Sequence, residues 1–88
     1  MVKYKILYSK ISQKDAKKLK QAGLDQKAKD LIEILKTDPF QNPPPYEKLV
    51  GDLKGAYSRR INIKHRLIYQ VNKEKRIVRI LRMWTHYE

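Results

Sequence analysis

Eighty-eight residues make one domain, with room for only a modest core. The absence of cysteine excludes disulfides, zinc knuckles and thiol chemistry, and no apolar run is long enough to span a bilayer. Lys+Arg 21 against Asp+Glu 9 leaves +12, which calls for an acidic partner such as nucleic acid or an acidic protein.

Residues 1–10 are basic but too interrupted for a signal peptide, so a cytoplasmic protein is expected. In residues 4–9, Tyr4, Ile6 and Tyr8 alternate with Lys5 and Leu7, which predicts a first strand. Ser12-Gln13-Lys14-Asp15 has the form of a capping box opening a helix, with Ile11 and Ala16 placed as a hydrophobic staple and Gly23 as the stop. Asp25 can cap a second helix, in which Ala28, Leu31, Ile32 and Leu35 form one apolar face. Pro39 ends it, and the short connection predicts an antiparallel helical hairpin. Neither helix has the bulky apolar face that a membrane surface would require.

Residues 43–45 are three prolines, predicting a stiff polyproline II spacer that delivers Glu47 to a defined place. Residues 47–50 read as a turn, with Leu49 and Leu53 anchored in the core and Gly51 and Gly55 permitting tight bends. Residues 56–61, 65–71 and 76–85 read as strands, the last two joined by a polar loop at 72–75. The expected order is β-α-α-β-β-β over a single domain, 1–88: an α+β fold with a helical hairpin packed on a mostly antiparallel sheet. Alternation along the last strand puts Val78, Ile80, Arg82, Trp84 and His86 on one face and Ile77, Arg79, Leu81 and Met83 on the other. One face must pack on the helices and the other must carry arginines among apolar residues; a bulge would change the assignment.

All six arginines lie from Arg59 onward, together with both histidines and the single tryptophan. Arginine grips phosphate with a planar fork, whereas lysine is a point charge. Arg59, Arg60 and Arg66, on adjacent strands, can therefore clamp a phosphate; the alternative is a solvated charged face. Glu47, a carboxylate in a basic half of the chain, is either a general base or a surface ion-pair partner. His65 opens a strand and reads as structural or peripheral. His86, beside Tyr87, can titrate near neutrality, and Tyr87 can stack on a base. No ligand-spacing motif is present, so neither metal nor cofactor is expected.

Ser58-Arg59-Arg60-Ile61, His65-Arg66-Leu67-Ile68-Tyr69 and a closing His86-Tyr87 resemble the YoeB/Txe branch of the RelE-type toxins. The resemblance extends over the whole chain, with Thr37-Asp38-Pro39-Phe40 after the second helix and Glu47-x-Leu49 before the glycine turn. It implies a RelE-like fold, related to the microbial ribonucleases, and a bacterial toxin that cuts mRNA in the ribosomal A site. It also implies an acidic YefM-like antitoxin and a possible homodimer. Carried over residue by residue, the general base is Glu47, the general acid His86, the phosphate-binding arginines Arg60 and Arg66, and the base-contacting residue Tyr87. Val50 stands where the family often has a lysine, so Lys48 or Lys54 would supply that charge, and Glu88 follows the tyrosine. Two rival functions share such a chain: a ParE-like inhibitor of DNA gyrase and a non-catalytic RNA-binding module.

Overall fold

The computed structural model describes residues 3–51 and 55–84. Its elements run β1 (Lys5–Tyr8), α1 (Lys10–Gln21), α2 (Asp25–Thr37), β2 (Tyr46–Lys48), β3 (Ala56–Arg60), β4 (Arg66–Asn72) and β5 (Ile77–Arg82). They form one sheet in the order β1-β5-β4-β3-β2, in which β1 runs parallel to β5 and every other pair is antiparallel. The expected α+β architecture is present, with one strand more than the sequence pattern showed. Residues 46–48 pair with β3 instead of turning, and Leu49 N–H continues the ladder to the Ala56 carbonyl at 2.9 Å. Leu53 lies outside the described residues.

Helix α1 starts earlier than the capping-box reading put it. Ser9, not Ser12, is the N-cap: its hydroxyl oxygen accepts from Ser12 N–H at 3.0 Å and its hydroxyl donates to the Leu81 carbonyl at 2.9 Å. Asp15 closes no box because β5 takes its carboxylate, and Ile11, 53% exposed, staples nothing. The helix ends in a Schellman motif. Gly23, at φ +74°, lets its own N–H reach the Lys20 carbonyl and the Leu24 N–H reach that of Leu19.

The apolar face foreseen for α2 is buried, and with Leu19 it meets Ile61, Leu67, Tyr69, Val78, Ile80 and Met83 on one face of the sheet. Each fully buried Leu or Ile here stabilises the fold by about 1.5–3 kcal/mol. The other face carries only a small cluster, Leu49, Ala56 and Ile68 with Leu81 against it, which leaves it available for polar work. A register shift between β4 and β5 accounts for the last strand. Tyr69 pairs with Ile80 but Ile68 with Arg82, so Leu81 is the extra residue of a bulge. Strict alternation therefore fails there: Leu81 faces away from the helices, while Met83 returns to the helical core. The strand is also shorter than expected, because Arg76, at φ +56°, belongs to the turn and β5 ends at Arg82. Among the described residues, no helix is long and apolar enough to cross a membrane.

Candidate functional site

The sheet face turned away from the helices gathers three of the charged residues singled out in the sequence. Direct cross-strand partners share a face. The register matches Glu47 with Ser58, Ser58 with Ile68, and Arg60 with Arg66. Glu47, Ser58, Arg60 and Arg66 thus stand together on β2, β3 and β4. Strands lie roughly 4.8 Å apart, so β2 and β4 are separated by about 10 Å and only long side chains can span β3. Arg66 Nη1 does so, reaching to 3.6 Å from Glu47 Oε2. The bridge crosses β3 diagonally, from the row of Ser58 to the row of Arg60.

Glu47 is 67% exposed and Arg66 22%. A pair so wet is worth at most about 1 kcal/mol, so it contributes little to the fold and an incoming anion can displace it. Arg60 is exposed, and its side chain makes no hydrogen bond or ion pair with any described residue. Ser58 is the opposite case: 1% exposed, with an Oγ that has no hydrogen-bond partner among the described residues. On the same face, the next row carries Ala56, Gln70 and Arg79. There Gln70, Asn72, Lys75 and Arg79 line a polar groove of about 440 Å³. Arg66 and this groove thus stand at opposite ends of the face, with the buried Ile68 between them.

Two residues expected to bind RNA are placed elsewhere. Arg59 is 1% exposed and points to the helical side. Its guanidinium donates to the carbonyls of Pro39, Gln41 and Pro44 and to the Tyr69 hydroxyl. It also lies 5.1 Å from the Tyr46 ring centroid, in an aromatic cluster with Phe40, Tyr57 and Tyr69. Prolines supply carbonyls without N–H groups, and a planar five-donor fork satisfies several at once. Arg59 therefore cannot grip phosphate; it fixes the loop that leads into Glu47. That loop bends at residues 42–44 and is not the extended spacer the three prolines suggested. Burial pushes the Tyr69 hydroxyl up to about 12, against the opposing charge of Arg59. Lys48 is exposed but neighbours Glu47 along β2 and pairs with Tyr57, so it points to the helical side, away from Arg66.

The end of β5 is held by a buried carboxylate. Asp15, 2% exposed, accepts from Arg82 Nε at 2.9 Å and from Met83 N–H at 3.0 Å. Burial alone would raise its pKa. The Arg82 hydrogen bond, the Met83 and Trp84 amides and the Arg82 charge together outweigh that and hold it below the usual carboxylate range. Beyond it, Trp84 stacks on His65, with ring centroids 3.8 Å apart and planes at 20°. His65 immediately precedes Arg66, so this stack ties the described end of the chain to the arginine of the site. His86, Tyr87 and Lys54 lie outside the described residues. Sequence reasoning missed Ser58, whose residue type carries no signal on a strand, and took Asp15 for a cap.

The family described as YoeB-like toxin of bacterial type II toxin-antitoxin system matches residues 8–87. A Toxin YoeB of Synechocystis sp. is 39% identical over 64 residues, covering 73% of this chain and 67% of that protein. Among solved structures, the YoeB/ParE toxin from Agrobacterium tumefaciens superposes with a TM-score of 0.85 at 30% identity, covering 94% of this chain and 99% of that one. The Staphylococcus aureus YoeB-YefM complex gives 0.80 at 30% identity, covering 96% of this chain and 98% of that one. The YoeB dimer from the same organism gives 0.81 at 30%, covering 97% and 99%. With a family match across nearly its full length and a fold shared with toxins solved beside their antitoxins, this chain belongs to the YoeB-like toxins of bacterial type II toxin–antitoxin systems.

Proposed function

We propose that the face bearing Glu47, Arg60 and Arg66 cuts mRNA in the A site of the ribosome, in the bacterial cytoplasm. The observation that carries this reading is the Glu47–Arg66 pair, a wet carboxylate and guanidinium 3.6 Å apart across β3 with a free arginine beside them. RNA brings its own nucleophile. Glu47 takes the proton of a 2′-hydroxyl, which attacks the adjacent phosphorus; Arg66, helped by Arg60, stabilises the charge gathering on the non-bridging oxygens. His86 gives its proton to the departing 5′-oxygen, and Tyr87 stacks on a base. One residue separates His86 from Trp84, a span of at most about 7 Å, and Trp84 is anchored beside Arg66 by His65. The groove toward Arg79 carries the flanking RNA backbone. Products are a 2′,3′-cyclic phosphate, or the 3′-phosphate it opens to, and a 5′-hydroxyl.

The partner that silences it is an acidic YefM-like antitoxin, which complements a net charge of +12. A homodimer is the second assembly this reading includes. The test is cleavage of an mRNA bound to programmed ribosomes, with a single 2′-deoxy substitution at the cut site. Cleavage to 5′-hydroxyl ends, abolished by that substitution, is expected. Cleavage that ignores it, or an arrest of DNA replication with transcripts intact, contradicts the reading.

A further inference from the structure

We propose that Ser58 is a positioning residue whose hydroxyl takes over the Glu47 carboxylate when the phosphate of bound RNA draws Arg66 away. The inference rests on the reading of this face as an RNA-cutting site and concerns a residue that reading does not use.

Three observations lead to it. Ser58 is the direct cross-strand partner of Glu47, on the same face, in the row where the bridge from Glu47 to Arg66 starts. Its Oγ is buried and has no hydrogen-bond partner among the described residues. One row away on the same strand and face, Ala56 is buried at 0% exposure, so a side chain of that size fills such a place without a polar atom. An unpaired buried hydroxyl is costly to leave unmade, and a chain that carries one beside Glu47 carries a donor waiting for an acceptor.

Substrate supplies the moment when that donor is needed. Arg66 has one guanidinium, and in the free protein it lies against Glu47. That contact is a single exposed approach at 3.6 Å, longer than a hydrogen bond, whereas a phosphate can take the guanidinium with two parallel charge-assisted hydrogen bonds. Once Arg66 turns, the carboxylate loses its partner at the step where it must face the 2′-hydroxyl. Direct cross-strand Cβ atoms are about 4.5–5.5 Å apart, within reach of a serine hydroxyl and a glutamate folded back over the strand. A neutral donor orients the carboxylate without matching the grip of a guanidinium, so Glu47 is held in place and left able to accept a proton. Bound substrate thus exchanges a cationic partner for a neutral one, and the carboxylate becomes a working base only in the complex.

The experiment compares wild type, Ser58→Ala and Ser58→Cys on programmed ribosomes across pH. Ser58→Ala should keep or raise Tm, leave KM unchanged and lower kcat on the order of tenfold, the size of one neutral hydrogen bond. Its limb of rising activity with pH should move to higher pH, because the carboxylate loses a donor that favours its ionised form. Ser58→Cys, a weaker donor, should fall between the two. In a Glu47→Gln background, Ser58→Ala should cost nothing further, since the hydroxyl acts through that carboxylate. A Ser58→Ala protein with wild-type kcat and pH profile overturns the proposal, as does one whose only change is lower Tm. An inert wild type sinks the RNA-cutting reading together with this one; an active wild type with an indifferent Ser58→Ala sinks this one alone.

Discussion

Arg59 Nη2 and the Tyr69 hydroxyl donate to the same oxygen, the Pro39 carbonyl, from 3.0 and 3.1 Å. Between them they fasten the proline-rich loop to the sheet, and that loop leads directly into β2, which carries Glu47. Replacing Arg59 by Met strips donors from the carbonyls of Pro39, Gln41 and Pro44. The loss should be at least about 3 kcal/mol, more than about 10 °C in Tm for a domain this small. Arg59→Lys should recover little, since an ammonium cannot reproduce the fork. Thermal melts check this; an unchanged Tm with lost RNA affinity would return Arg59 to the phosphate-binding set.

Tyr69 makes the fold sensitive to alkali. Its folded pKa of about 12 stands above the ordinary tyrosine value, so its contribution is complete below about pH 10 and is lost as pH rises toward 12. Relative to Tyr69→Phe, wild type should lose on the order of 2–3 kcal/mol across that window, as read by denaturant titrations at each pH. Parallel stability curves for the two proteins would contradict it.

Asp15 gives the opposite dependence. Its folded pKa lies below the unfolded value, so its contribution is present above about pH 4 and fades as pH falls through the folded value. Asp15→Asn should be less stable than wild type at pH 7 and converge with it in acid. Because Asp15 pins Arg82 and Met83, the substitution should also lower cleavage by loosening the segment that leads to His86. Acid unfolding curves beside a cleavage assay test both parts.

Arg60 and Lys48 are both exposed cations near Glu47, but on opposite faces of the sheet. Alanine at either should leave stability within about 0.5 kcal/mol. Only Arg60→Ala should weaken cleavage and reduce the salt dependence of binding, by about one unit of slope for one lost phosphate contact. Equal effects would mean that RNA wraps the sheet edge.

Periodicity carried the helices, the apolar face of α2 and the strand sequence, because a buried stripe and a turn glycine are local signals. Gly23 and Pro39 stop helices for reasons confined to their own neighbours. What stayed hidden depends on partners distant along the chain. Ser12 and Asp15 look like a capping box until β5 claims the carboxylate, which no local pattern announces. Arg59 and Arg60 are adjacent arginines with opposite fates, decided by which face of β3 packs on the proline loop. Lys48 fails for the same reason, one residue of parity from Glu47. The bulge at Leu81 is a tertiary feature, and it alone returns Met83 to the core. At the site, the sequence named Glu47, Arg60 and Arg66, and the register of three strands brings them together; it did not name Ser58, since a serine on a strand has meaning only through what stands across from it.

The most direct measurement is the rate of ribosome-bound mRNA cleavage by Glu47→Gln and His86→Ala, each checked for ribosome binding and Tm. With Glu47 as base and His86 as acid, each rate should drop by at least about 10²-fold while binding and stability persist. Cleavage at the wild-type rate by Glu47→Gln would show that the carboxylate facing Arg66 takes no part in the chemistry.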